Sequence, residues 1–208
     1  MIIKMKFYLS SYKIGRETKE LKRLVPTGRK LGFIPNALDY VEVNARRESN
    51  EKNMKDLTDL GIEVEMLDLQ DYFNKQDELK KKIAKLGGLW VRGGNVFVLR
   101  QAMKLSGLDE VLVGMKKKDF FYGGYSAGGC VLSPNFRGWL ELVDDPKVNP
   151  YKGSKVIWEG LGLIDYAFVP HYKSDHHESE AVGKVVEYCI ENKILFKALR
   201  DGEVIIKE

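Results

Sequence analysis

Hydrophobic positions along the chain follow two alternating rhythms. Short apolar runs, "MKFYLS", "KLGFIPN", "IEVEMLDL", "GGLWVRG", "FFYGG" and "IDYAFVPHY", read as strands. Between them lie longer segments in which apolar residues recur at helical spacing, near Thr18–Leu24, Glu48–Leu60, Lys75–Leu86, Val96–Lys104 and Leu108–Lys117. Strands and helices in alternation predict an α/β fold: a doubly wound, mostly parallel sheet with helices on both faces, joined by right-handed crossovers. Ligand sites in such sheets lie beyond the carboxyl ends of the strands, which directs attention to whatever follows each apolar run.

The pattern weakens over Pro134–Gly160, where Gly138, Pro146, Pro150 and Gly153 interrupt any long element; this segment is either a roof over a site or a long surface loop. A helix is expected from Ser174 or Asp175, with Asp175 and Glu178 as a capping pair and a buried stripe of Val182, Val185, Val186, Cys189 and Ile190. The last stretch, "ILFKALRDGEVIIKE", reads as a hairpin turning at Asp201-Gly202. No internal repeat or low-complexity tract breaks residues 1–208, so a single domain is expected.

Composition narrows the function classes. With 44% hydrophobic content over 208 residues the chain has the material for one sizeable core. The net charge of +4 is the small difference between 34 basic and 30 acidic residues scattered along the chain, which argues against a nucleic-acid surface. The Lys-rich runs "ELKKKIAKL" and "MKKKDF" set lysines between apolar residues and read as solvated helix faces. Cys130 and Cys189 form no C-x-x-C pair and suggest buried thiols in a reducing compartment. The start "MIIKMKFYLSS" lacks the features of a secretory leader and no run is long enough for a membrane span, so a soluble cytoplasmic protein is expected.

The chemistry concentrates in "FFYGGYSAGGCVLSP". Gly124-Tyr125-Ser126-Ala127-Gly128 fits G-x-S-x-G after a strand and before a helix. A strand-to-helix turn that tight leaves no room for large flanking side chains. It also sets Ser126 at a helix N-terminus, where backbone N–H groups favour a developing oxyanion. A hydroxyl nucleophile needs a base, and His171, His176 and His177 are the available imidazoles. His171 closes an apolar run and is favoured; His176 and His177 fall in the expected first helical turn, which disfavours a cation. "HYKSDHHESE" holds no established metal-ligand spacing, and no metal is expected. For the carboxylate that would orient the base, Asp201 competes with Glu141, Asp144 and Asp145. Backbone N–H groups of Ala127 and of Gly94, in the glycine turn "RGGN", are the candidate oxyanion donors.

With these residues in hand the sequence resembles the peptidase E family of aspartyl dipeptidases, related to cyanophycinases. "WVRGGNVFVL", "YGGYSAGGCVLSP" and "FVPHY" carry the resemblance, supported by "FYLSS" and "GFIPNA". It implies a class I glutamine amidotransferase-like fold, Ser126 as nucleophile, His171 as base and Gly94 with Ala127 as oxyanion donors. It also implies Asp201, before Gly202, as triad acid, with an alternative acid near Glu141, and no metal or cofactor. The aspartyl-specific members carry an arginine after the catalytic histidine where this chain has Glu178-Ser179-Glu180. Arg92 and Arg137 are then the candidates to hold a substrate carboxylate.

These readings lead to a serine exopeptidase that hydrolyses the bond after the N-terminal residue of short peptides, N-terminal Asp among them, as monomer or homodimer. Two other functions share the features: a G-x-S-x-G esterase of the α/β-hydrolase type, whose chain order is Ser, acid, His, and a non-hydrolytic protein that binds a small ligand.

Overall fold

The computed structural model describes residues 5–208; the apolar start over residues 1–4 lies outside them. Among the described residues six strands form the main sheet: β1 (Lys6–Ser10), β2 (Leu31–Ile34), β3 (Val64–Met66), β4 (Gly88–Val91), β5 (Phe121–Tyr125) and β8 (Val204–Lys207). Their order is β3-β2-β4-β5-β1-β8. Every neighbouring pair is parallel except β1 with β8. Two further strands, β6 (Ala167–Val169) and β7 (Phe196–Ala198), pair in parallel as a separate small sheet.

Alternation along the strands divides the core between two faces. Tyr8, Leu31, Phe33, Trp90 and Phe121 pack with Leu21 and Leu24 of α1 (Thr18–Leu24) and Leu57 of α2 (Val43–Asp59). Phe7, Leu9, Leu89, Val91 and Tyr122 belong to the larger cluster on the other face. That cluster takes in the buried sides of α3 (Gln76–Ile83), α4 (Val96–Ser106), α5 (Leu108–Gly114) and α7 (Ser179–Glu191). The strands are therefore apolar on both sides, as a sheet covered on both faces requires.

Three expectations need correction. The terminal hairpin does not form. Its tight turn is present, with Glu203 N–H donating to Arg200 O at 2.9 Å. The strands flanking it part company, however: β7 joins β6, while β8 runs antiparallel along β1 and closes that edge of the main sheet. The helix expected from Ser174 or Asp175 begins at Ser179, because the side chains at 174–178 are engaged around the site instead; Ile190, assigned to its buried stripe, is 63% exposed. Helix α2 starts at Val43, earlier than expected. Its first turn has little apolar periodicity and is held by Glu42, whose carboxylate accepts from Asn44 N–H and Ala45 N–H.

Residues 134–160 are irregular but anchored. Phe97 of α4 meets Phe136 and Trp158 edge-to-face with centroids 5.8 and 5.3 Å apart, contacts of about 0.5–1.5 kcal/mol each beyond their burial. Arg100 donates to Glu159 O at 2.9 Å while pairing with buried Asp109 at 3.0 Å. The segment is thereby fixed over the carboxyl end of β4, which is where the site lies.

Candidate active site

Ser126 sits between β5 and the short helix α6 (Ala127–Cys130) with φ 48° and ψ −118°, a conformation that costs a non-glycine residue about 1–3 kcal/mol. The surroundings enforce it. A Cβ on Gly128 would come within 2.2 Å of Val91 O, so β4 and α6 approach too closely for any side chain there. Gly94 has φ +143°, and a Cβ there would meet Ala37 O at 2.4 Å. Among the described residues neither Gly94 N–H nor Ala127 N–H donates to another protein group. Gly94 lines the same cavities as Ser126, and Ala127 lines one of them.

His171 lies two residues beyond β6, buried, with φ 63°. Its Nδ1 is 2.7 Å from Asp201 Oδ1. Ser11, one residue beyond β1, ties the pair together: its hydroxyl donates to the same Asp201 oxygen at 2.8 Å and accepts from His171 N–H at 2.8 Å. Asp201 is held from its other side, its N–H donating to Ser174 Oγ at 2.7 Å. The carboxylate fixes the proton on Nδ1 and leaves the Nε2 lone pair free. Burial lowers the His171 pKa below the ordinary histidine value; the Asp201 hydrogen bond and charge oppose this, and His177 adds to it. The imidazole is thus neutral and able to accept a proton at physiological pH.

Ser126 and His171 line one open cleft of about 400 Å³ together with Arg92, Gly93, Gly94, Asp144 and Glu178. Arg92 is almost fully buried. Its guanidinium donates to Gly93 O at 3.1 Å, to Asn50 Oδ1, and to Ser49 Oγ at 3.2 Å. The chain does not bring Arg137 there: that guanidinium stacks on Trp158 at 5.0 Å and lines a different cavity. Glu141 is exposed and lies outside the cleft as well, so the alternative acid has no access to His171. Asp144, three residues on, turns inward instead. Its Oδ2 accepts from Val96 N–H at 2.7 Å, and burial, with the charge of Glu178 adding to it, pushes its pKa up to about 7.

His176 and His177 are not in a helix. His176 stacks on His171 with ring centroids 3.7 Å apart and an interplanar angle of 7°. Ligand atoms of His171, His176 and Glu178 all lie within 4.8 Å of one another. Parallel stacked rings direct their lone pairs side by side, however, where chelation of one ion needs them to converge. Both cysteines are free and buried, their thiol pKa values raised by burial.

Sequence reasoning passed over Ser11 and Ser174. A serine pair ending an apolar strand, as in "FYLSS", was the available signal for Ser11; nothing local marks Ser174. What the arrangement offers chemically is a hydroxyl on a strained backbone at a helix N-terminus, a neutral imidazole held by a carboxylate, and two N–H groups without a protein acceptor lining the same cavities. These are the groups that base-assisted acyl transfer uses. The chain order is Ser, His, Asp, unlike the Ser, acid, His of α/β-hydrolase esterases.

Comparison with known proteins agrees in class. Residues 12–208 match the family model Peptidase family S51. An uncharacterized peptidase of Listeria monocytogenes is 30% identical over 169 residues, covering 80% of this chain and 77% of its own. Peptidase E of Streptomyces coelicolor is 29% identical over 184 residues, 86% of this chain and 68% of its own. Among solved structures, a peptidase E candidate from Listeria monocytogenes superposes with a TM-score of 0.70 at 25% identity, over 99% of this chain and 98% of the other. Among the described residues no helix is long and apolar enough to cross a membrane. The chain belongs to peptidase family S51, a family of serine-type peptidases.

Proposed function

We propose that the protein is an exopeptidase that removes the N-terminal residue from short peptides, with Ser126, His171 and Asp201 as its catalytic triad. Ser126 Oγ attacks the scissile carbonyl as His171 Nε2 takes its proton, and the oxyanion is received by the N–H groups of Gly94 and Ala127. His171 then passes the proton to the leaving amine. Water, activated in turn by His171, hydrolyses the acyl-enzyme. Asp201 holds the imidazole in the Nδ1–H tautomer and stabilises the imidazolium that forms. Arg92, with N–H groups left over from its internal bonds, is the cation in the cleft wall suited to the substrate's carboxylate.

The observation that carries this reading is the 2.7 Å contact between His171 Nδ1 and Asp201 in the cleft that also holds Ser126. The test is hydrolysis of a dipeptide panel by wild type and Ser126→Ala. Turnover by the wild type, with kcat reduced by about 10⁴ or more in the variant, is expected. Unchanged turnover in Ser126→Ala would remove Ser126 from the mechanism.

A further inference from the structure

Beside the open cleft is a second, much narrower recess of about 20 Å³. Its walls are the apolar side chains of Cys130, Trp139, Leu140, Val143, Val169 and Val185, among others. Two charged residues line it, Asp144 and Glu178, and both are acids. Gly94, Ser126, Asp144 and Glu178 line the cleft and the recess alike, so they stand at the mouth that joins the two spaces. The cations of the site, Lys13, Lys52 and Arg92, line the cleft and do not line the recess.

Resting on the reading of Ser126 as nucleophile, we infer that the recess is the pocket for the substrate's first side chain, and that Asp144 and Glu178 at its mouth bind the free α-ammonium group. The substrates are then short peptides whose first residue is small and uncharged. Charge and size both lead there. An ammonium group one bond from the α-carbon must sit close to the carbonyl that Ser126 attacks, and at that position the lining side chains offer two carboxylates and no cation. An N-terminal aspartate would carry its carboxylate past these acids into an apolar recess with no partner, an unfavourable burial of charge. A lysine or arginine side chain exceeds the space available. The opposite end of a dipeptide, its carboxylate, reaches the cleft lined by Lys13, Lys52 and Arg92. The peptide dipole is therefore aligned across Ser126.

Glu178 is positioned for this by its surroundings. Its carboxylate oxygens lie 3.9 Å from His171 Nε2, 3.8 Å from His176 Nδ1 and 3.6 Å from His177 Nε2. These distances are long for hydrogen bonds, and the carboxylate keeps capacity for an incoming ammonium.

The experiment measures kcat and KM for Ala-Leu, Asp-Leu, Lys-Leu and N-acetyl-Ala-Leu, alongside labelling of Ser126 by a fluorophosphonate. Ala-Leu should exceed Asp-Leu and Lys-Leu in kcat/KM by about tenfold or more, and acetylation should cost about 100-fold, mostly in KM. Glu178→Gln should raise the KM for Ala-Leu about tenfold with kcat within about threefold, and Glu178→Arg should move Asp-Leu ahead of Ala-Leu. Preference for Asp-Leu or Lys-Leu in the wild type, or equal cleavage of the acetylated peptide, would overturn the inference and leave the peptidase reading standing. Labelling of Ser126 without cleavage of Ala-Leu would do the same. Absence of both labelling and cleavage would overturn the two together.

Discussion

At the scale of single residues, the site is a chain of dependencies that ends at the imidazole. Asp201 accepts from Ser11 and from His171 on one oxygen, so its orientation is fixed before any substrate arrives. Replacing it with Asn reverses the donor pattern and favours the wrong tautomer. Asp201→Asn should lower kcat by about 10³ to 10⁴ with little change in KM. Ser11→Ala removes one hydrogen bond to the carboxylate and the acceptor for His171 N–H, and should cost about tenfold in kcat. The pH profile follows from the same contacts. A base must be neutral to act, and burial holds the His171 pKa below 6.5. The acid limb of kcat/KM should therefore have its midpoint below 6.5, and a midpoint well above 7 would contradict the neutral-imidazole assignment.

Asp144 gives a separate residue-scale prediction. Its pKa is raised from 3.8 to about 7, so the folded chain holds the proton more tightly than the unfolded chain does. Below 3.8 both folded and unfolded chains hold the proton and no penalty exists. As pH rises the unfolded chain ionises first, stability falls, and the loss is complete above about 7. Asp144→Asn should accordingly raise thermal stability at pH 8, by an amount on the order of 2–4 kcal/mol, and the advantage should shrink towards zero near pH 4. A Tm difference independent of pH would rule out this ionisation as the cause.

At the scale of elements, close backbone contact makes the elbow. The approach of α6 to Val91 O leaves no volume for a side chain at 128, so Gly128→Ala should cost about 1–3 kcal/mol and lower Tm by several degrees, read by thermal denaturation. The elbow and the glycine turn after β4 were legible in the sequence because sterics there act over a few residues. So was His171 at the end of an apolar run. The segment 174–178 was not, since its polar side chains cap nothing local: Ser174 serves Asp201, and His176 stacks on His171. Helix propensity there yields to tertiary partners. Between Glu141 and Asp144 the sequence offered no means of choosing. Anchoring of the irregular segment on α4 turns Asp144 inward and leaves Glu141 on the surface.

At the scale of the whole molecule, alternating periodicity was enough to give a sheet covered on both faces, because each strand must satisfy both sides at once. Pairing between distant strands was not encoded locally. An Asp-Gly turn between two short apolar runs satisfies every local condition for a hairpin. The free edges of β6 and β1 nevertheless take β7 and β8 separately, and that separation is what carries Asp201 across to His171. With β7 on one sheet and β8 on the other, the turn between them that carries Asp201 bridges the two sheets. We propose that this assembly makes Ser126 Oγ the atom that is acylated. The most direct measurement is intact-mass analysis, within the first turnover, of protein mixed with an aminoacyl p-nitrophenyl ester, followed by peptide mapping. One aminoacyl adduct on the peptide containing Ser126, absent in Ser126→Ala and slowed at least about 10³-fold in His171→Ala, is predicted. An adduct on Cys130 or elsewhere, or acylation of Ser126 at an unchanged rate without His171, would contradict it.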